Sequence, residues 1–280
     1  MLKYQLGLYE KSMPTELSWK ERLEAAKAAG FDFLELSVDE TDFRLERLNW
    51  TLEERLDLLK LSKELAVPIR SICLSGHRKY PLGHKSPDVR KRSLEIGHKA
   101  VDLASDMGIR IIQLAGYDVY YEEGDEETRE LFAQGLKDLT LYAASREVAL
   151  GFETMETPFM DTVGKAMRYV DQVNNAWLGV YPDIGNLTNA SLIYGTPVND
   201  DIKKGAGHIF AAHLKETIPG HYREIPFGTG HTDFVSNIKC LKELGVTSFV
   251  GEFWYVGQED WQVDLDFAGK FLRAKLDQVF

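Results

Sequence analysis

The chain has 280 residues, with 33 Lys+Arg against 44 Asp+Glu, for a net charge of −11. Hydrophobic residues make up 44% and charged residues 28%, an ordinary globular balance that excludes a disordered tail, a collagen and a disulfide-stapled scaffold. The acidic sum argues against a nucleic-acid partner, because that affinity comes mostly from neutralising phosphates with a basic surface.

Short apolar runs alternate with longer amphipathic ones along the whole chain. A strand is predicted over 4–9. A helix over 18–29 follows, opened by Ser18 with Glu21 three residues on, a capping box, and closed by Gly30. A strand over 33–38 precedes a helix over 51–65, where Thr51 and Glu54 repeat the box. After a strand over 69–74, Ser86-Pro87 sets a cap before a first-turn proline and opens a helix to Met107, with Gly108 behind it. Three more strands, over 110–115, 149–154 and 178–182, are followed by helices over 126–146 and 162–174 and by a less regular helical stretch over 187–207. Strands over 209–214 and 248–253 precede helices over 233–244 and 260–278.

Strand–helix alternation of this kind implies parallel strands with right-handed crossovers. Eight units in one uninterrupted chain, 280/8 = 35 residues each, predict an α/β fold, a (β/α)8 TIM barrel forming a single domain over 1–280. A doubly wound open sheet is the competing fold. It is weakened because Gly7-Leu8-Tyr9-Glu10 stands after the first strand instead of a GxGxxG turn.

Two isolated cysteines, Cys73 and Cys240, form no CxxC pair, so no thiolate zinc site or redox motif is signalled. With no basic n-region and apolar core at Met1-Leu2-Lys3-Tyr4-Gln5, and no run near the roughly 18 apolar residues of a membrane helix, a cytoplasmic protein without a membrane partner is expected.

Barrel active sites lie at the C-terminal ends of the strands. Four consecutive strand ends carry Glu153 (in Gly151-Phe152-Glu153-Thr154), Asp183 (in Tyr181-Pro182-Asp183-Ile184-Gly185-Asn186), His213 (in Ala211-Ala212-His213-Leu214-Lys215) and Glu252 (in Val250-Gly251-Glu252-Phe253-Trp254). Any one alone reads as a helix cap, a surface ion-pair partner or a hydrogen-bonded structural histidine. Together they can converge, and period-2 alternation puts Ala211, His213 and Lys215 on one face and Val250, Glu252 and Trp254 on another. Three converging carboxylates repel unless a cation joins them. One imidazole with three carboxylates suits one divalent metal ion: Mn²⁺, Mg²⁺, Zn²⁺ or Co²⁺.

The strings Leu6-Gly7-Leu8-Tyr9-Glu10-Lys11, Ser37-Val38-Asp39-Glu40-Thr41-Asp42, Cys73-Leu74-Ser75-Gly76-His77-Arg78, Gly116-Tyr117-Asp118-Val119-Tyr120-Tyr121, Tyr181-Pro182-Asp183-Ile184-Gly185-Asn186 and Pro226-Phe227-Gly228 carry a resemblance over nearly the whole chain. The sequence resembles the L-ribulose-5-phosphate 3-epimerase family, sugar-phosphate 3-epimerases of the xylose-isomerase-like barrel superfamily. The resemblance implies that Glu153, Asp183, His213 and Glu252 hold a divalent metal and that Glu153 and Glu252 are also the catalytic acid/base pair. It implies interconversion of L-xylulose 5-phosphate and L-ribulose 5-phosphate through a metal-stabilised enediolate, in L-ascorbate or pentose utilisation. The free-sugar enzymes often carry a histidine three residues after the metal aspartate; Asn186 stands there, as in the phosphosugar branch. Barrels of this type often pair, so a homodimer is expected.

A phosphorylated ketose needs cations or amides around its phosphate. His77, Arg78 and Lys79 follow the third strand, Lys215 and Arg223 follow His213, and Lys11 ends the first unit. Gly228-Thr229-Gly230 could offer backbone N–H groups. Glu156 could bind a sugar hydroxyl or serve as a cap, and Trp254 could cover the sugar face or simply pack. Three other functions compete: an aldose–ketose isomerase on the same metal site, a metal-dependent phosphodiesterase or abasic-site nuclease, and a non-catalytic sugar-phosphate sensor. The nuclease needs two or three metals and more histidines than the seven present.

Overall fold

In the computed structural model, which describes residues 3–280, all eight expected strands form. In chain order the elements are β1 (Gln5–Tyr9), α1 (Trp19–Ala28), β2 (Phe33–Val38), α2 (Asp42–Leu45), α3 (Leu52–Glu64), β3 (Ile69–Leu74), α4 (Pro87–Asp106), β4 (Ile111–Ala115), α5 (Glu126–Ser145), β5 (Ala149–Glu153), α6 (Val163–Val173), β6 (Leu178–Val180), α7 (Ile184–Tyr194), α8 (Val198–Ile202), β7 (Ala212–Leu214), α9 (Phe234–Glu243), β8 (Ser248–Gly251) and α10 (Trp261–Asp277). The strands are parallel in the order β6-β5-β4-β3-β2-β1-β8-β7. The two ends of that order join. Val180 bridges Ile209 and Asp183 bridges His213, carried by Phe210 N–H to the Val180 carbonyl at 3.0 Å and His213 N–H to the Pro182 carbonyl at 2.9 Å. The sheet is therefore a closed (β/α)8 barrel with no free edge.

Helix starts follow the sequence signals. Ser18 and Thr51 each cap with a reciprocal box to Glu21 and Glu54, and Asp125 does the same with Thr128. The Ser86 side chain makes no cap bond; Pro87 at the first helical position opens α4 instead. The irregular stretch over 187–207 is two helices. Tyr194 ends α7 at left-handed Gly195 (φ 67°), and Pro197 starts α8. The short α2, capped by Thr41, and a 3-10 turn over Glu46–Asn49 were not expected; two helical turns are too short to show periodicity.

Most buried apolar residues fall into two cores, with a small third cluster of Ala115, Tyr117 and Met155 near the mouth of β4 and β5. The larger lies between sheet and helices, where Leu6, Leu8, Leu34, Leu36, Ile72, Leu150 and Phe249 are fully buried. Each such side chain contributes about 1.5–3 kcal/mol on leaving water. The smaller fills the barrel itself, with Tyr9, Phe33, Cys73, Tyr181, Ala211 and Val250. Gly7 on β1 makes room there, since a Cβ at that position would collide with the Phe33 ring. Most barrel interiors are aliphatic. This one also buries Glu35, Ser71, Gln113 and His213. No helix among the described residues is long and apolar enough to cross a membrane.

Candidate metal centre and active site

Four neighbouring strands bring together the four residues expected to converge. Glu153 is the last residue of β5 and His213 the middle of β7. Glu252 stands one residue past β8, held by its N–H to the Leu214 carbonyl at 3.0 Å. Asp183 stands past β6 and is also the N-cap of α7, its Oδ1 accepting from the Asn186 N–H at 2.8 Å. One Asp183 oxygen is thus spent on the helix and the other is left for the barrel. All four side chains are buried, and one ligand atom from each lies within 4.8 Å of the others. His213 Nδ1 is 3.3 Å from both Glu153 Oε1 and Glu252 Oε2.

The residues fit a divalent ion. Asp183 Oδ2 and Glu252 Oε2 are buried without a hydrogen-bond partner, which is costly for anionic oxygens. The Lys215 ammonium lies 2.9 Å from the first and 3.2 Å from the second, ion pairs that lack the alignment of hydrogen bonds. Three carboxylates and one imidazole form a donor set for a hard or borderline cation.

Burial and charge split the acids. Burial raises the Glu153 pKa and the facing Glu252 carboxylate raises it further. Burial also pushes Asp183 up to about 8, against the pull of Lys215. For Glu252 the burial penalty is outweighed by Lys215 and His213, which hold it well below the ordinary range. Burial disfavours the His213 imidazolium, but Glu35 and Glu252 lift its pKa well above the usual value. Lys215 is likewise penalised by burial and then raised by Asp183, Glu252 and Glu153.

A cleft opens above these groups, and Arg78, Glu156, Lys215, Arg223 and Trp254 all line it. Glu156 accepts from the Tyr117 hydroxyl at 2.8 Å, the Tyr120 hydroxyl at 3.3 Å and Arg223 Nη2 at 3.0 Å. Its oxygens hold neighbours rather than standing free. Arg78 sits over the Tyr120 ring at 4.8 Å, and Lys215 and Arg223 approach the Trp254 ring at 5.7 and 5.9 Å. Lys11 lines the same cleft, ion-paired with Asp39.

Two expectations are corrected. His77 does not line the cleft. Its ring is buried with Nε2 on the Ser93 carbonyl at 3.1 Å, and burial lowers its pKa to about 4, so it packs as a neutral structural histidine. Gly228-Thr229-Gly230 does not offer a free amide nest. The Gly228 and Thr232 N–H groups both bond the buried Glu216 carboxylate, at 2.9 and 3.0 Å, and the Thr229 N–H bonds the Pro226 carbonyl. That carboxylate already takes the place of an anion.

Three site neighbours escaped the sequence reading. Gln113 on β4 donates its Nε2–H to Glu153 Oε2. Tyr9 lines the cleft beside Glu252. Glu35 on β2 accepts from His213 Nε2 at 2.6 Å. The available signal was a charged residue in the middle of the mostly apolar run Phe33-Leu34-Glu35-Leu36-Ser37-Val38.

A family model of the xylose isomerase-like TIM barrel matches residues 23–271. The chain is 44% identical over 272 residues to the L-ribulose-5-phosphate 3-epimerase UlaE of Escherichia coli strain K12, covering 97% of this chain and 94% of that protein. Among solved structures, a D-psicose 3-epimerase with D-tagatose from Clostridium cellulolyticum H10 superposes with a TM-score of 0.81 at 16% identity, covering 97% and 99% of the two chains. A D-allulose 3-epimerase from Methylomonas sp. in complex with D-allulose gives 0.80 at 18%, covering 99% and 98%. At that identity the two structures speak for the fold.

Proposed function

The chain belongs to the xylose isomerase-like TIM barrel family, and we propose that it is a metal-dependent 3-epimerase of a ketopentose phosphate, interconverting L-xylulose 5-phosphate and L-ribulose 5-phosphate. The observation that carries this reading is the convergence of Glu153, Asp183, His213 and Glu252 on one buried point below a cleft lined by cations. These four side chains would hold the ion. When bound, it supplies Lewis-acid stabilisation for the negative charge that loss of the C3 proton puts on the neighbouring carbonyl oxygen, giving an enediolate.

Inversion at C3 requires a proton to leave one face of the sugar and another to arrive on the opposite face. Glu153 from β5 and Glu252 after β8 approach the centre from different strands of the barrel, which supports such a pair. Their environments also differ. Without the ion, burial and Glu252 favour the protonated form of Glu153, while Lys215 and His213 keep Glu252 ionised. In turnover one of the two glutamates would take the C3 proton and the other would give one, the two exchanging roles when the reaction reverses. Gln113 holds the Glu153 carboxyl in place. Arg78 and Arg223, with Lys11, supply positive charge at the cleft for the phosphate, and the Trp254 ring borders the sugar.

Incubation with L-xylulose 5-phosphate and added Mn²⁺ in deuterated water tests the proposal. Deuterium at C3, with L-ribulose 5-phosphate as product, is expected. Deuterium at C1 or an aldose product would replace it with an isomerase, and no exchange at all with a panel of ketopentose phosphates would leave binding without catalysis.

A further inference from the structure

Glu35 lies at the middle of β2, inside the barrel and fully buried, where most barrels place an aliphatic side chain. A carboxylate there is costly unless its oxygens are satisfied. They are satisfied in an asymmetric way. Oε2 accepts from the Ser71 hydroxyl at 2.7 Å and the Tyr181 hydroxyl at 3.0 Å. Oε1 takes one partner, His213 Nε2 at 2.6 Å. Glu35 therefore reaches from β2 to β7 across the barrel, and Ser71 and Tyr181 fix the carboxylate from the two sides.

The contact decides which imidazole nitrogen is available. Nε2 faces a carboxylate and must donate, so it keeps its proton. Nδ1 is the nitrogen that faces Glu153 and Glu252, at 3.3 Å from each. A ring that could turn over would present either nitrogen. The 2.6 Å contact to a fixed oxygen, together with the Tyr181 ring edge-on to the imidazole at 5.1 Å, removes that freedom. Such an outer partner orients a metal-binding histidine and raises its basicity.

Resting on the metal reading above, we propose that Glu35 is a positioning residue for the metal centre: by holding the His213 Nε2 proton it presents Nδ1 to the ion. It touches neither substrate nor ion and acts through His213 alone.

Titration of the metal-stripped protein with Co²⁺, followed by calorimetry and by the visible spectrum of the bound ion, tests this. Glu35→Gln keeps the size of the side chain and replaces the charged acceptor. Its Co²⁺ dissociation constant is expected to rise about 10–100-fold, with an altered visible spectrum. At saturating Co²⁺, KM for L-xylulose 5-phosphate is expected to stay at the parent value. Ser71→Ala removes one of the two donors that fix the carboxylate but leaves Tyr181 and the imidazole contact, so its affinity is expected to fall far less than that of Glu35→Gln. A folded Glu35→Gln protein that binds Co²⁺ like the parent overturns the proposal, as does an equal loss in Ser71→Ala, which would assign the effect to general packing. If Glu35→Gln does not fold, ¹⁵N-histidine spectra of the Zn²⁺-loaded parent decide. A protonated, slowly exchanging His213 Nε2 with Nδ1 on the ion supports it, and coordination through Nε2 overturns it. A parent that binds no Co²⁺ would sink the metal reading itself, separately from the role of Glu35.

Discussion

The Lys215 ammonium lies 2.9 Å from Asp183 Oδ2, with both side chains buried. In the metal-free protein this lysine, with the His213 imidazolium, offsets the negative charge of the acidic cluster, above all that of Glu252 at 3.2 Å. Removing one partner of a buried pair costs about 3–5 kcal/mol, because the other charge is left uncompensated. Lys215→Met is therefore expected to lose much of its thermal stability in EDTA and to recover most of it in Mn²⁺, with a larger metal-dependent shift in melting temperature than the parent. Equal melting temperatures for variant and parent in EDTA would show that Lys215 does not carry this load.

The metal-free protein should also lose stability as pH rises. The folded Asp183 pKa is about 8 against an ordinary 3.8, so the folded state binds the proton more tightly. A raised pKa contributes stability that is fully present below the unfolded value and is lost as pH rises through the folded one. His213 acts in the same direction above its ordinary 6.5, since its folded pKa is also raised. Glu252, held well below 4.5, adds no slope in this range. Denaturant unfolding between pH 5 and 8 should therefore give falling stability in EDTA. Metal binding must expel these protons, so affinity should rise across the same window. A metal-free stability that climbs from pH 5 to 8 would contradict the raised pKa of Asp183.

The barrel and the convergence of Glu153, Asp183, His213 and Glu252 were legible because each rests on a local signal. Strand–helix alternation, the Ser18–Glu21 and Thr51–Glu54 boxes, and polar residues at four consecutive strand ends are all readable along the chain. What stayed hidden depends on distant contacts. Glu35 and His213 are 178 positions apart, and only closure of the barrel brings them together. His77 looked like a cleft cation because it follows a strand, but one turn of 3-10 helix points its ring at the Ser93 carbonyl. Gly228-Thr229-Gly230 looked like an anion nest, and the anion is Glu216 of the same loop.

Arg223 is the cleft cation whose loss should report on the phosphate. It donates to Glu156 at 3.0 Å and remains partly exposed, so it is placed to meet a ligand from solvent. A charge-assisted hydrogen bond to phosphate contributes about 1.5–3 kcal/mol, of which a half-exposed arginine should realise the lower part. Arg223→Ala is expected to raise KM for L-xylulose 5-phosphate about tenfold, with kcat within a few-fold of the parent. The weaker turnover of unphosphorylated L-xylulose should change little. An equal loss on both sugars would place Arg223 on the sugar ring or on Glu156 instead.

The fold makes a separate prediction below the cleft. Glu10 is fully buried and faces three guanidinium groups: Arg47, bidentate at 2.6 and 2.7 Å, Arg44 at 3.0 Å and Arg22 at 3.3 Å. Burial raises its pKa, but Arg47 and the other two arginines more than reverse that. It also accepts the Ser37 N–H at 2.9 Å, and its chain neighbours Tyr9 and Lys11 both line the cleft. One carboxylate thus holds the β1 and β2 ends in place. Glu10→Gln leaves three buried cations around a neutral amide, whereas Arg47→Met leaves Glu10 with two arginines. The carboxylate should therefore be the more costly loss, about 3–5 kcal/mol, with Arg47→Met clearly milder. Denaturant unfolding of the two variants, both metal-loaded, gives the order directly. If Arg47→Met proves the more damaging, its packing against Trp19 and Trp50 outweighs the charge balance at Glu10.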